Sequence, residues 1–269
     1  MNAVRALSVV SLLVSCAPPL PPKPLEAPPP AAPLPPQTAP ITVPDYVHAA
    51  VSADSRSPED RALDAGRKPE QMLSFFGIAP GMKVAELGAG LGYTTELLAR
   101  VVGPSGKVYG QNSHFVLEKF AEAPWSARLK KPEMSNVLRI DRESDDPLPP
   151  DASELDAVLS ILVYHDTVWL GTDRDKMNQA VFKALKHGGV YGIVDHSAQP
   201  GTGLSGVKTV HRIDESTLKS EVEHAGFQLA AEADFLRNPL DKRDWNDSPR
   251  EAGERRGTSD RFVLKFVKP

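Results

Sequence analysis

Cysteine is almost absent from this chain of 269 residues, which contains only Cys16. A disulfide within the chain is therefore impossible, and a zinc site built from several cysteines is excluded. Long apolar runs are also missing, because no stretch after residue 20 is apolar enough and long enough to span a bilayer. The formal net charge is only -4, so the sequence offers no wide basic surface and predicts no nucleic-acid partner.

The first sixteen residues have the order of an export signal. Arg5 supplies a positive start, and residues 6–14 form an apolar core that is too short for a membrane span. The tetrapeptide Leu13-Val14-Ser15-Cys16 resembles the lipobox of bacterial lipoproteins, in which the cysteine is lipidated and becomes the new N-terminus. The resemblance implies a membrane anchor at Cys16 in the cell envelope, on the periplasmic side, and Ala17 favours the outer membrane. The alternative is an ordinary secretory signal with a chance cysteine.

Composition divides the chain into three regions. Residues 1–16 form the predicted lipoprotein signal peptide, and residues 17–44 are dense in proline and alanine. Proline fixes φ and removes backbone donors, so the second region is predicted to be an extended linker. Residues 45–269 remain, which is enough for one well-packed α/β domain.

Strand and helix signals alternate through the third region. Apolar strands are predicted at 83–87, 107–111, 137–140, 156–163, 190–195, 227–233 and 262–267, with helices at 69–76, 94–102, 114–122, 174–185 and 214–225. The glycines at 188 and 189 are expected to end the fourth of these helices. The alternation predicts a Rossmann-like, doubly wound, mostly parallel sheet of seven strands. No helix separates the last two strands, so we expect an antiparallel pair at one edge.

A glycine-rich loop follows the first predicted strand, in the order Glu86-Leu87-Gly88-Ala89-Gly90-Leu91-Gly92. Glycines let the backbone turn sharply and let a ligand approach without a Cβ in the way. The dinucleotide fingerprint Gly-x-Gly-x-x-Gly needs glycine at position 93, which is Tyr93, so a nicotinamide-dependent oxidoreductase is disfavoured. A glycine-rich turn without a ligand is the remaining alternative.

The spacing Glu-x-Gly-x-Gly-x-Gly resembles motif I of the class I methyltransferases that depend on S-adenosylmethionine (SAM), and the likeness continues over residues 46–269. It implies SAM as cofactor, held by the loop residues Glu86, Gly88, Ala89, Gly90 and Gly92. It also implies that Asp141 contacts the adenine amino group. The second strand ends in Gln111 and Asn112, where this family usually has a carboxylate for the ribose hydroxyls. These amides are predicted to bind the ribose instead.

Candidate catalytic residues follow the fourth strand. Tyr164, His165 and Asp166 resemble a segment of predicted bacterial methyltransferases with export signals, as does Asp195-His196 after the fifth strand. We predict His165 as the general base, because its ordinary pKa lies near neutrality, and Tyr164 as a residue that orients the substrate. A structural histidine bonded to a loop carbonyl is the alternative for His165. Arg67 is a candidate partner for a carboxylate of SAM or of the substrate.

A metal site is an alternative to these roles. His165, Asp166, Asp195, His196 and His211 form a possible set of metal ligands. No helical spacing such as His-Glu-x-x-His supports it, so we predict hydrogen-bonded histidines and no metal.

The function favoured by these patterns is SAM-dependent methyl transfer to a small molecule or to a component of the cell envelope. The alternative is a non-catalytic lipoprotein that retains the methyltransferase fold as a binding or structural module. Two observations favour that alternative: export takes the domain away from the compartment where SAM is made, and the ribose carboxylate is missing.

Overall fold

A computed structural model describes residues 40–269. The predicted signal peptide, Cys16 and most of the proline-rich linker lie outside the described residues. Between positions 40 and 269, no helix combines the length and the apolar character needed to cross a membrane.

Seven strands form one sheet in the described part of the chain. They are β1 (Lys83–Leu87), β2 (Lys107–Asn112), β3 (Val137–Asp141), β4 (Leu155–Ile161), β5 (Leu185–His196), β6 (Gln228–Ala233) and β7 (Arg261–Val267). Their order is β3-β2-β1-β4-β5-β7-β6. Only β7 runs opposite to the rest, paired antiparallel with β5 on one side and β6 on the other. The predicted mostly parallel sheet, with its antiparallel pairing at one edge, is confirmed.

Helices cover both faces of this sheet. They are α1 (Asp45–Ser52), α2 (Pro58–Arg67), α3 (Pro69–Phe76), α4 (Tyr93–Val102), α5 (His114–Val116), α6 (Glu122–Arg128), α7 (Tyr164–Trp169), α8 (Arg174–Ala184), α9 (Val207–Val210) and α10 (Glu215–His224). One apolar cluster packs α1, α3 and α4 against the sheet, and a second packs α8 and α10 against it. Because both faces are covered, successive residues of the central strands are buried on both sides of the sheet, as in the last four residues of β1 and the last five of β4.

The strand order reverses between β1 and β4. Both strands are parallel, and β1 pairs with β2 on its other side. In open α/β sheets this reversal leaves a crevice beyond the carboxyl ends of the strands. The glycine-rich loop after β1 and the segment after β4 therefore meet at one end of the sheet.

The predicted boundary between the fourth helix and the fifth strand differs from the structure. The helix expected at 174–185 ends at Ala184, and the two glycines do not terminate it but lie inside β5. The Gly188 N–H donates to the Lys268 carbonyl at 2.8 Å, and the Lys268 N–H donates to the Gly189 carbonyl at 3.0 Å. A partner strand distant in sequence thus supplies the hydrogen bonds that extend β5 through the glycines.

Gly92, predicted as a SAM-binding residue, instead makes a close packing contact at the start of α4. Its φ is +87°, and a Cβ there would lie 2.5 Å from the ring of the fully buried Trp125. Replacing Gly92 by alanine is expected to lower the free energy of unfolding by about 2–4 kcal/mol, because left-handed strain and overpacking add. Urea denaturation measures this loss.

Gly171→Ala is the matched control, because Gly171 has a similar φ of +72° and nothing within 4 Å of the added Cβ. Gly171→Ala is expected to lower the free energy of unfolding by about 1–2 kcal/mol, through backbone strain alone. Equal losses in the two variants would show that the contact with Trp125 is not what restricts position 92.

Candidate functional site

A cavity of about 930 Å³ opens at the crevice beyond β1 and β4. Its walls come from α2, the loop 88–91, the segment 160–163 and the segment 246–251 that precedes β7. Ligand pockets typically measure about 300–1,000 Å³, so the cavity is at the upper end of that range. It has room for a nucleoside cofactor together with part of a second molecule.

The glycine-rich loop presents bare backbone to this cavity at Gly90. Gly88 and Gly90 both have positive φ, +62° and +56°. A Cβ at Gly88 would overlap the side chain of Val163, whereas a Cβ at Gly90 would meet only the Gly88 carbonyl oxygen, at 4.0 Å. The space in front of Gly90 is therefore open, as close approach of a ligand to the backbone requires.

The two amides at the end of β2 brace this loop. Gln111 Oε1 accepts from the Gly88 N–H at 2.9 Å, and its Nε2 donates to the Arg142 carbonyl. Asn112 is fully buried and binds Gly90 twice, accepting from its N–H at 2.8 Å and donating to its carbonyl at 3.1 Å. Asn112 does not line the cavity, whereas Gln111, also predicted to bind the ribose, does line it, with its amide held by Gly88 and Arg142. A carboxylate has no donor and could not bind the Gly90 carbonyl in this way.

Two opposite charges flank the loop. Glu86, 3% exposed at the end of β1, accepts a short hydrogen bond from the Thr95 hydroxyl. Burial raises its pKa to about 7, against the opposing effects of Thr95 and Arg67. Arg67, at the end of α2, lies over the ring of Tyr93, 4.6 Å from its centroid, and no carboxylate of the described chain forms an ion pair with it. Glu86 and Arg67 both line the cavity, so it offers a carboxyl group and a guanidinium to a zwitterionic ligand.

The raised pKa of Glu86 predicts that the free energy of unfolding depends on pH. A carboxyl with a pKa of 4.5 in the unfolded chain and about 7 in the folded protein destabilises the fold as pH rises between those values, because the unfolded chain ionises first. Fully ionised, it costs about 3 kcal/mol. Glu86→Gln is therefore expected to unfold at higher denaturant than the wild type at pH 8, and the advantage should shrink towards pH 4.5.

Denaturant midpoints measured across this pH range test the prediction. Glu118→Gln is the control, because Glu118 is exposed and pairs only with the neighbouring Lys119. A constant difference between Glu86→Gln and wild type at every pH would contradict the raised pKa.

A histidine cluster lies on the other side of the cavity. His165 is fully buried at the start of α7, with its Nδ1 2.5 Å from Asp195 Oδ1 and its Nε2 2.9 Å from the Nε2 of His211. Burial lowers the pKa of His165, but the carboxylates of Asp195 and Asp166 outweigh it and raise the pKa to about 9. Burial and the neighbouring His165 lower the pKa of His211 to about 3. At neutral pH, His165 therefore carries the charge and donates to His211.

This geometry does not favour the predicted role of His165 as the general base. Its side chain does not line the cavity, whereas Asp166 and His211 do. Because it is protonated at neutral pH, it is poorly suited to accept a proton directly from a substrate. His165 follows β4, Asp195 lies at the end of β5 and His211 follows α9. These residues are distant in the sequence and meet only in the folded protein.

Tyr164 faces away from the cavity. It is fully buried, donates from its hydroxyl to Glu221 Oε2 at 3.0 Å and accepts from Asn178 Nδ2 at 2.9 Å. These partners lie on α10 and α8, so Tyr164 anchors α7 to those helices and does not orient a substrate. The reason is helical phase, since neighbouring residues in a helix point about 100° apart.

Asp141 does not lie where its predicted contact with the adenine amino group requires it. Its side chain is exposed and accepts from Arg139 Nε at 2.8 and 2.9 Å, and it does not line the cavity. Ser144 and Pro147, from the loop after β3, line the wall instead. The ion pair turns Asp141 towards α6, because Arg139 also binds Glu122 there.

Sequence reasoning missed the aromatic wall of the cavity. Phe115 packs against Phe120 with ring centroids 6.0 Å apart and against Trp169 at 5.9 Å. Phe120 and Trp169 are more than half exposed, 54% and 53%. A π-helical turn, Leu117–Ala121, joins α5 to α6, and such turns are frequent at functional sites. A search for 3.6-residue periodicity does not pair residues five apart, which is why this wall was not predicted.

Known proteins resemble this chain in two ways. The family model described as protein-L-isoaspartate(D-aspartate) O-methyltransferase (PCMT) matches residues 63–143, from α2 through β3. A protein-L-isoaspartate O-methyltransferase of Methanothermobacter thermautotrophicus is 33% identical over 51 residues, which are 19% of this chain and 24% of that protein. The alignment with this curated relative therefore spans about a quarter of its length.

Solved structures extend the likeness to the whole domain. A SAM-dependent methyltransferase from Aquifex aeolicus has a TM-score of 0.55 at 17% identity, over 78% of this chain and 97% of that one. The [4+2]-cyclase SpnF has a TM-score of 0.54 at 17% identity, over 81% and 85%. A putative sarcosine dimethylglycine methyltransferase from Galdieria sulphuraria has a TM-score of 0.53 at 16% identity, over 78% and 85%. The chain has the fold of class I SAM-dependent methyltransferases, and together with the PCMT match this supports the predicted enzyme class and SAM as its cofactor.

Proposed function

We propose that this protein binds SAM against the loop 88–91 and transfers its methyl group to an acceptor held at the opposite wall of the same cavity. The observation that carries the proposal is the open Gly90 backbone in a cavity that also holds the buried Glu86 and Arg67, which forms no ion pair within residues 40–269. The amino-acid part of SAM carries an ammonium and a carboxylate. Glu86 and Arg67 would bind these two groups, since each is the counter-ion that one of them needs.

SAM supplies an electrophilic methyl group on a sulfonium. The protein's own contribution is to hold the acceptor in line with it and to take up a proton where the acceptor carries one. Asp166 is suited to the second task, because it lines the cavity and burial raises the pKa of its carboxyl above the ordinary value. His165, the predicted base, would act only through His211, which faces the cavity.

The aromatic wall bears on the class of acceptor. Phe115, Phe120 and Trp169 give the acceptor side an apolar surface, and Arg250 lies over the Phe120 ring at 5.8 Å. An acceptor with an apolar body and an anionic group fits such a wall. A small molecule or an envelope component of that chemistry is the acceptor we propose.

Isothermal titration calorimetry of the full-length chain with SAM tests the cofactor. We expect saturable binding at micromolar SAM and no heat with NAD. Absence of heat at high micromolar SAM, with a native circular dichroism spectrum, would contradict the proposal. Because a cyclase shares this fold, the reaction needs its own test: release of S-adenosylhomocysteine with candidate acceptors. Binding of SAM without any such release would favour the non-catalytic module.

We also propose that the chain is anchored in the cell envelope through a lipidated Cys16, on the strength of its lipobox alone. Metabolic labelling with a radioactive fatty acid should label the wild type and leave Cys16→Ser unlabelled. Equal labelling of both, or none of either, would contradict the anchor.

A further inference from the structure

The histidine cluster beside the cavity has the geometry of a metal centre. The three groups involved are His165, Asp166 and His211, whose possible ligand atoms all lie within 4.8 Å of one another. We propose that they bind one divalent transition-metal ion in a site with two imidazole ligands and one carboxylate ligand. This site is separate from the SAM loop and does not depend on methyl transfer.

The distances between the ligand atoms carry the proposal. His165 Nε2 lies 2.9 Å from His211 Nε2 and 3.4 Å from Asp166 Oδ1, and His211 Nε2 lies 3.8 Å from the same oxygen. These three lengths define a triangle with a circumscribed radius of about 2.0 Å, so one point is equidistant from all three atoms at the length of a zinc–nitrogen or zinc–oxygen bond.

The support behind His165 is the kind that metal ligands have. Asp195, fully buried, accepts from the His165 backbone N–H at 2.8 Å and lies 2.5 Å from its Nδ1. An ionised carboxylate only accepts, so Nδ1 carries a hydrogen and the ring is held with Nε2 towards His211. Binding of an ion would release the second proton of the imidazolium, from Nε2. A carboxylate that holds the far nitrogen of a histidine is a frequent partner of metal-bound imidazole.

His211 is also held in place by its backbone. It has a φ of +57°, which is rare for residues other than glycine; this conformation costs about 1–3 kcal/mol and persists only where the surroundings impose it. The Asp247 N–H donates to the carbonyl of the preceding residue, Val210, at 3.2 Å. In this strained backbone conformation the His211 ring lies 4.2 Å from the His165 ring, centroid to centroid.

The neighbouring His196 is not part of the set. Its Nδ1 pairs with Asp247 and lies 3.0 Å from the Ser259 hydroxyl, so that nitrogen is occupied. Two imidazoles and one carboxylate suit zinc or iron(II) better than magnesium or calcium, which prefer oxygen ligands. Because Asp166 and His211 line the cavity, the remaining coordination positions of the ion would face it. There the ion would hold and polarise an oxygen of the acceptor or a water. With the ion bound, Asp166 would be a ligand, and the water would take up the acceptor's proton in its place.

Metal binding by the full-length chain, purified without a polyhistidine tag and dialysed against chelator, tests the proposal. Zinc is titrated calorimetrically, and cobalt(II) is followed by its visible absorption, which reports nitrogen and oxygen ligation. We expect one ion per chain and a loss of affinity of about 100-fold in His211→Ala and in Asp166→Ala. Both side chains are partly exposed, 22% and 36%, so these variants should remain folded.

His114→Ala is the matched control, because His114 is exposed and pairs with Glu143 outside the cluster. It should bind zinc as the wild type does. Zinc binding that is absent from the wild type, or equal in His211→Ala and wild type, would overturn the proposal and leave a hydrogen-bonded histidine pair only. SAM calorimetry on the same samples keeps the two proposals distinguishable, since His211→Ala should still bind SAM.

Discussion

Leucine at position 90 is expected to reduce SAM affinity by at least about 100-fold while the domain still folds. The space in front of Gly90 is open, so the new side chain would extend into the cavity and occupy the volume that the cofactor needs. The two hydrogen bonds between Gly90 and Asn112 use backbone atoms and are retained by any residue. Calorimetry with SAM measures the effect, and thermal unfolding checks the fold.

Gly171→Leu separates occlusion from backbone strain. Gly171 also has a positive φ, +72°, and does not line the cavity. This control should lose stability as Gly90→Leu does and bind SAM normally. Normal SAM binding by Gly90→Leu would place the cofactor elsewhere, whereas loss in both variants would indicate a general effect of destabilisation.

Truncation of Arg212 is expected to cost about 3–5 kcal/mol of unfolding free energy. Arg212 is fully buried, its Nη1 donates to Asp241 Oδ2 at 2.7 Å, and its guanidinium lies 4.6 Å from the ring centroid of Trp245. In Arg212→Met the Asp241 carboxylate remains buried without its counter-ion. For a domain of this size the melting temperature should fall by roughly 10 °C, measured by calorimetry.

Arg212→Met is also expected to affect the wall of the cavity. Asp241 accepts from the backbone N–H groups of Arg243 and Asp260 and from the Trp245 indole, so it organises the connection that includes residues 246–251. Those residues form part of the cavity wall. We therefore expect faster proteolysis of this connection in Arg212→Met than in the wild type.

Two further variants control this prediction. Arg255 also lies near the Trp245 ring, at 5.5 Å, but it is exposed, so Arg255→Met should change stability by less than about 0.5 kcal/mol. Arg212→Met with Asp241→Asn should recover part of the loss, because no unpaired charge then remains. An unchanged melting temperature in Arg212→Met would show that the buried pair is not a main support of the connection.

Features that are local in the chain were predictable. The strand at 83–87, the glycines that follow and the helix from Tyr93 are consecutive, and their chemistry depends on backbone conformation alone. Glu86 and Gly90 were identified for that reason. Gly92 belongs to the same motif, but its neighbour Trp125 is 33 positions away, and its close contact could not be read from the loop.

The directions of side chains were much less predictable. Residues 162 and 163 were expected to continue the fourth strand, but β4 ends at Ile161 and Leu162 turns with a φ of +59°. This early turn sets the phase of α7. As a result, the Tyr164 side chain points towards α8 and α10, and the Asp166 side chain points towards the cavity. A difference of two residues in the end of β4 therefore makes Tyr164 a structural residue where a substrate-orienting one was predicted.

Charge pairing also redirected predicted contacts. Asp141 stands at the expected end of β3, but Arg139, two residues earlier on the same face, binds its carboxylate. Gln111 and Asn112 stand at the expected end of β2, but Asn112 binds the Gly90 backbone, and Gln111, which lines the cavity, binds the Gly88 N–H and the Arg142 carbonyl. A polar group binds the nearest partner it can reach, and that partner is known only once neighbouring strands are in register.

By itself, the sequence determined the alternation of strands and helices, the bare backbone at Gly90 and the carboxylate of Glu86, because periodicity and glycine act over a few consecutive residues. Only the tertiary structure decided that positions 165, 166 and 211 meet with ligand atoms 2.9 to 3.8 Å apart. Two chain segments that are distant in the sequence must pack before those atoms meet, and no local pattern encodes the result. No sequence pattern therefore supports the metal site that we propose from the structure.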